Sequence, residues 1–158
     1  MSTLWSSASK SNVNTMEKVI RSLARFISGK QKYDSVAPII CNDLKWLFPN
    51  EIGIFNILCI MYKLSNVVPI EYFKNYFVLR SATHSYSTSL CTSGALAFNY
   101  VPQTRYGLAT FHYRAIELWN NLPSNIKQCT STYMFKNKLK IHLLDNQKNR
   151  YFSKQLLK

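Results

Sequence analysis

The residues of this chain best suited to catalysis are few and badly placed for it. His84, His112 and His142 sit in three unlike settings, none near a Ser, Cys or carboxylate motif of working spacing. General acid–base or nucleophilic chemistry needs converging groups of tuned pKa. Asp34, Asp43 and Asp145 are scattered, with no adjacent pair to hold a catalytic Mg²⁺ through hard oxygen ligands. Cys41, Cys59, Cys91 and Cys129 are equally dispersed, without a C-x-x-C or a nearby paired His, so a zinc knuckle is not expected. Four glycines are too few for a loop that cradles phosphates on backbone amides. No catalytic residue, metal, cofactor or small-molecule substrate is therefore expected. The chemistry expected is binding.

Arg105 and Tyr106 follow a Pro turn, and Tyr113 and Arg114 come close behind. Guanidinium groups reach phosphates and phenol rings stack on bases, a pairing suited to single-stranded nucleic acid. Lys18, Arg21 and Arg25 form a second cationic stripe, and Lys136 and Lys140 flank the last apolar stripe. The same stripes also suit solvated helix faces. The partner expected is RNA or DNA, gripped through its backbone without sequence preference.

Net charge supports that expectation. Twenty Lys and Arg against seven acids leave +13, and so basic a protein gathers polyanions, nucleic acid first and anionic membrane surfaces next. From Tyr72 to Ile116 there is no acid, and from Lys127 to Lys158 eight basic residues face only Asp145. Apolar residues at 47% and aromatics at 14% argue for a folded chain. The unclustered cysteines, with no signal-peptide pattern, predict an intracellular protein, nuclear or cytoplasmic and not secreted. Ile52 to Tyr62 is strongly apolar, but Asn56 and Lys63 break it well short of the ~20 residues a bilayer requires, so no membrane span is expected.

The elements that must position these groups are mostly helical. Met16, Val19, Ile20, Leu23 and Ile27 recur at helical spacing, opposite Lys18, Arg21 and Arg25. Asn14 and Glu17 suit a capping box and Gly29 a C-terminal stop. Such a basic amphipathic helix also fits an anionic membrane surface. Ser35–Trp46 reads as a short helix with Pro38 in its first turn, and Asn50–Leu64 as the buried core helix, polar only along Asn56, Cys59 and Lys63. A further helix is expected over 69–77, then a flexible loop over 81–94.

Leu96, Phe98 and Tyr100 alternate before the Pro102 turn, predicting a hairpin over 96–111. In the helix that follows, Phe111, Ala115, Leu118, Trp119 and Leu122 share the dry face, and Arg114, Glu117 and Asn121 the other. Phe135, Leu139 and Leu143 form the last apolar stripe, before a basic tail over 145–158. The expectation is one mainly α module over 1–158, about six helices around a buried central helix with one small β-hairpin. Its expected structural anchors are Trp46, Phe111, Leu118, Trp119 and Pro123.

The stretch Val101 to Ile126 resembles a signature in the C-terminal, post-thumb region of reverse transcriptases from non-LTR retrotransposons of the jockey type. Val101, Pro102, Thr104, Arg105, Phe111, Tyr113, Arg114, Ala115, Leu118, Trp119, Asn120, Leu122, Pro123 and Ile126 stand in register with it. Upstream, Arg25, Ile27, Gly29, Tyr33, Asp34, Pro38, Leu44, Trp46 and Leu47 are similar to the same family, as are Phe135, Lys136, Leu139 and Lys140 downstream. The likeness runs through essentially the whole chain. It departs at Phe48-Pro49, where the family's Pro comes one place earlier and an Arg follows, at Gln103 for Arg, and at Ile116 for Pro. The family's polymerase palm, with its Asp pair, has no counterpart here.

The resemblance implies a role in gripping template RNA or target DNA beside a polymerase. The expectation is a non-catalytic, RNA- or DNA-binding piece of an RNA-directed DNA polymerase, with Met1 an internal methionine promoted to a start. The alternative is an interaction module that docks on a reverse transcriptase core without touching nucleic acid.

Overall fold

The computed structural model describes residues 10–66, 77–83, 94–98 and 100–155, and among these it is mainly α-helical. The helical segments are α1 (Lys10–Ser28), α2 (Ala37–Asn42), α3 (Pro49–Asn66), α4 (Arg80–Thr83), α5 (Arg105–Leu108), α6 (Phe111–Asn120), α7 (Ser124–Lys127) and α8 (Thr132–Gln155). The chain divides into two compact units, one of Met1–Phe55 with Leu139–Lys158 and the other of Asn56–Lys138. The division falls inside α3 and α8, and the expected loop over 81–94 is described only in part. Residues 81–83 of that loop close α4, while 84–93, like most of the helix expected over 69–77, lie outside the described residues.

In the first unit α1 is already helical at Lys10, so Asn14 and Glu17 are interior positions and not a capping box. Glu17 instead takes Arg21 one turn on, at 2.6 Å. Gly29 ends the helix as expected. Its φ of 63° is left-handed, and Lys30 N–H donates to the Arg25 carbonyl at 3.0 Å, the closing bond of a Schellman turn.

The face that α1 buries is not the expected one. Ala24 is fully buried against Val36, Ile40 and Phe48, with Ile20, Leu44 and Trp46 packed partly in. Val19, Leu23 and Ile27 are about half exposed, Met16 is exposed too, and Phe26 is 87% exposed. Small Ala24 fits the packed edge of α1, while the larger apolar side chains face outward.

α2 is shorter than expected, Ala37–Asn42, with Pro38 in its first turn. Lys45 takes a left-handed φ of 51° in the turn that follows, and Pro49 opens α3. One side chain of α8 fastens this turn. Gln147 is fully buried; its Oε1 accepts from Phe48 N–H at 3.0 Å. Its Nε2 donates to the Trp46 carbonyl at 3.0 Å and to Cys41 Sγ at 3.3 Å. Buried Glu51 is met by Arg150 of α8 at 2.7 Å. The basic tail expected from 145 is therefore helical through Gln155, and two of its residues hold the first unit together.

The second unit is built on aromatic rings. Tyr62 of α3 stacks on Phe135 of α8 with centroids 4.2 Å apart, and Trp119 of α6 lies against Phe135 at 6.4 Å. The Tyr62 hydroxyl donates to the Cys129 carbonyl at 2.6 Å. On α3 the buried residues here are Ile57, Leu58, Met61 and Tyr62, while Ile60 and Lys63 are exposed.

The expected hairpin over 96–111 is replaced. Leu96 bridges antiparallel to Leu79, and its would-be partner Leu108–Phe111 is spent on the end of α5 and the start of α6. Thr104 caps α5 by accepting from Gly107 N–H at 3.1 Å, so the Pro102 turn feeds a helix and not a second strand.

On α6 the buried line is Ala115, Ile116 and Trp119, continued by Leu122. Phe111, expected as an anchor, is 36% exposed at the first position of the helix, and Leu118 is half-buried. Pro123 is exposed; it acts through its backbone, its carbonyl accepting from Ile126 N–H at 3.0 Å at the start of α7. Trp46 is likewise half-buried, and Trp119, at 5% exposure, is the most deeply set of the expected anchors.

Trp119→Ala is expected to cost about 3–5 kcal/mol, and Gln147→Leu, which removes the amide's bonds to Phe48 and Trp46, about 1–3 kcal/mol. Urea unfolding of each variant against the native chain checks both.

Candidate functional site

Arg105 and Tyr106 are carried on α5, a single helical turn with a tightly specified base. Gly107 lies where any Cβ would overlap Pro102 Cβ and come within 3.2 Å of Thr104 Oγ1. The Thr104 cap at the front and the Ala109 N–H bond to Arg105 O at 3.2 Å behind fix the turn. Both side chains then project into solvent, Tyr106 at 89% exposure. An ordered turn that holds a bare phenol ring in water presents a stacking surface.

Thr110 links α5 to α6, its hydroxyl donating to the Gly107 carbonyl at 2.7 Å. Tyr113 and Arg114 leave the first turn of α6, both half-buried, with Tyr113 tilted against Phe98 at 5.2 Å. The structure therefore brings Arg105, Tyr106, Tyr113 and Arg114 onto two adjoining helices. Glu117 is the one carboxylate on α6 and is exposed.

His112, between these residues, faces Phe77 at 5.3 Å, and burial holds its pKa below the ordinary 6.5. Lys136 is exposed on α8 in the same unit, and its charge together with that of Lys63 opposes the burial that pushes the Cys59 thiol up. Lys127 donates from Nζ to the Asn120 carbonyl at 3.4 Å, and burial lowers its pKa.

The first unit holds the other expected contacts, and they are unequal. Lys18 is exposed on α1. Arg21 is committed to Glu17 and lies over the Phe48 ring at 5.0 Å, and Arg25 is half-buried with its Nε inside. The α1 cations therefore do not form one open phosphate-tracking row, because the helix is rotated toward its Ala24 edge. Lys140 and Trp46 instead meet at a cleft of about 490 Å³ with Lys45, Ile20, Ile52 and Phe55. Among the described residues no group of three or more His, Cys, Asp or Glu side chains converges as a metal site would require. No described helix is long and apolar enough to cross a membrane.

Comparison with known protein families, curated proteins and solved structures gave no match. The site has to be read from its own geometry.

The structural roles of three positions escaped the sequence reading. Gly107 shapes the Arg105 turn; its only signal was its place two residues after that Arg in a chain with four glycines. Asn120 clamps Leu96 through two bonds, accepting from its N–H at 2.8 Å and donating to its carbonyl at 3.0 Å, as a neighbouring strand would. Lys45 reaches the cleft from a left-handed turn with no local sequence mark.

Gly107→Ala is expected to displace Pro102 and re-aim Arg105 and Tyr106 while the rest of the fold survives. Near-native helical circular dichroism with weakened ligand binding checks it. His112 gives a pH prediction. Its lowered folded pKa means the unfolded chain binds more protons at mildly acid pH, so its contribution is complete above pH 6.5 and is lost as pH falls through the folded value. Melting curves at about pH 7.5 and about pH 5.5 should show a smaller acid loss in His112→Gln than in the native chain.

Proposed function

We propose that this chain binds RNA or DNA without catalysis, through the α5–α6 surface of its second unit. The observation that carries the reading is the α5 turn, braced by Pro102, Gly107 and the Thr104 cap, which holds Arg105 and Tyr106 clear of the protein. A built turn with its guanidinium and ring left in water suits a ligand with phosphates and flat bases. Tyr113 and Arg114 on α6 and Lys136 on α8 extend the same chemistry, and the acid-free run from Tyr72 to Ile116 keeps repulsion low. Phosphate contact of this kind is sequence-tolerant and salt-sensitive.

The likeness of Val101–Ile126 to the post-thumb region of non-LTR retrotransposon reverse transcriptases supports the same reading. In that setting the surface would hold template or target strand beside a polymerase core. Asn120 and Trp119, within that stretch, serve the scaffold, since both bond the 94–98 segment. Arg105 and Arg114 of that stretch serve the contact.

Fluorescence polarisation with labelled single-stranded RNA, single-stranded DNA and duplex DNA at several salt concentrations tests the proposal. Binding is expected to weaken with log salt at a slope of about −0.7 per phosphate neutralised on single strands. Arg105→Ala should remove roughly one such contact from the slope, and Tyr106→Ala should weaken single-strand binding by about 1–3 kcal/mol with the slope unchanged. A folded chain that ignores all three ligands would overturn it.

A further inference from the structure

The first unit carries a surface that the nucleic-acid reading leaves unexplained. On α1, Met16, Val19, Leu23, Phe26 and Ile27 fall within one arc of the helix and are all exposed, Phe26 by 87%. This arc adjoins the packed edge at Ile20 and Ala24. Ile20 shares its side of the helix with Met16, Leu23 and Ile27, and it also lines the cleft that Lys45 and Lys140 flank. The apolar surface is thus continuous from α1 into the cleft and has basic groups at its margins. Beyond Gly29, Tyr33 is also bare, at 91% exposure.

Charge decides what could cover such a face. Between Lys10 and Lys32 there are six basic residues and one acid, Glu17, which is tied to Arg21. A second copy of the same face would bring two strongly cationic helices together, which Coulomb repulsion opposes. Nucleic acid matches the charge but offers no aliphatic surface to receive Val19, Leu23 and Ile27. An anionic lipid surface matches both: acyl chains for the apolar arc and headgroups for the lysines. A helix with a strong apolar face, low overall hydrophobicity and a Phe near its end suits lying in the interface plane without spanning it.

We infer that α1 docks the first unit on the surface of an anionic bilayer, with Leu23 and Phe26 inserted among the acyl chains and Lys18 and the Lys30–Lys32 turn at the headgroups. This function stands apart from nucleic-acid binding and uses a different unit.

Flotation of the full chain with vesicles of phosphatidylcholine alone, and of phosphatidylcholine with phosphatidylserine, tests it. The paired variant is Leu23→Ser with Phe26→Ser, which keeps every charge and changes only exposed side chains, so the fold should hold. The native chain is expected to float with the phosphatidylserine vesicles and far less with the neutral ones. The double variant should bind them on the order of tenfold or more weakly, because the lost contacts are apolar.

Native chain that stays behind, or that floats equally with neutral vesicles, would overturn the inference. So would a double variant that binds as tightly as the native chain, which would leave charge attraction alone. A native dimer in light scattering that the double variant dissolves would assign the face to a second copy instead. Oligonucleotide titration of the same variant should be unchanged, so failure here and failure of the nucleic-acid reading are seen separately.

Discussion

The stack of Tyr62 on Phe135, with Trp119 against the same Phe, is the contact from which the second unit is assembled. Each ring comes from a different helix, so three elements are fixed by one desolvated cluster. Position then propagates by hydrogen bonds. Trp119 reaches the Gly94 carbonyl from Nε1 at 3.4 Å, and its neighbour Asn120 takes both backbone groups of Leu96. With Leu96 held, the antiparallel bridge to Leu79 can form, an isolated bridge among the described residues. Tyr113 and Arg114 sit at the other end of this same α6 helix, next in the chain to the α5 turn that carries Arg105 and Tyr106.

The first unit solves a similar problem with one amide. The turn between α2 and α3 leaves backbone groups to be paired away from water, which is costly unless a partner is supplied. Gln147 supplies it from more than ninety residues away in sequence, bonding Phe48, Trp46 and Cys41 at once. Glu51 and Arg150 repeat the pattern with a charge pair, in which burial of the carboxylate demands the cation. The α8 helix, at twenty-four residues, is therefore long for a reason: its last turns fasten the first unit.

Helical periodicity served well where a stripe had one possible partner. Phe135, Leu139 and Leu143 are buried as their spacing implied, and Gly29 ends α1 because a left-handed C-terminal stop favours it. It served badly where a helix offered two faces. On α1 the bulky residues set the predicted face, yet the packed edge is the one with the smallest residue, Ala24, because close packing there favours a small side chain. On α6 the buried line shifted from Phe111 to Ile116. The hairpin over 96–111 failed for a related reason. Leu96 does pair antiparallel, but its partner is Leu79, and only tertiary pairing names a partner.

Composition and local pattern by themselves settle that this chain is helix-rich, strongly basic and furnished with a clustered Arg and Tyr stretch. Those properties depend on residue type and on neighbours a few positions away. Which cations stand free is another matter. Lys18 is open while Arg21 lies on Phe48 and Glu17, and Tyr106 is bare while Tyr113 leans on Phe98. Exposure is a property of whatever else packs nearby, and that is set by contacts between residues distant in sequence. The open apolar face of α1 belongs to the same class of facts: its side chains are written in the sequence, and its being uncovered is decided by the fold.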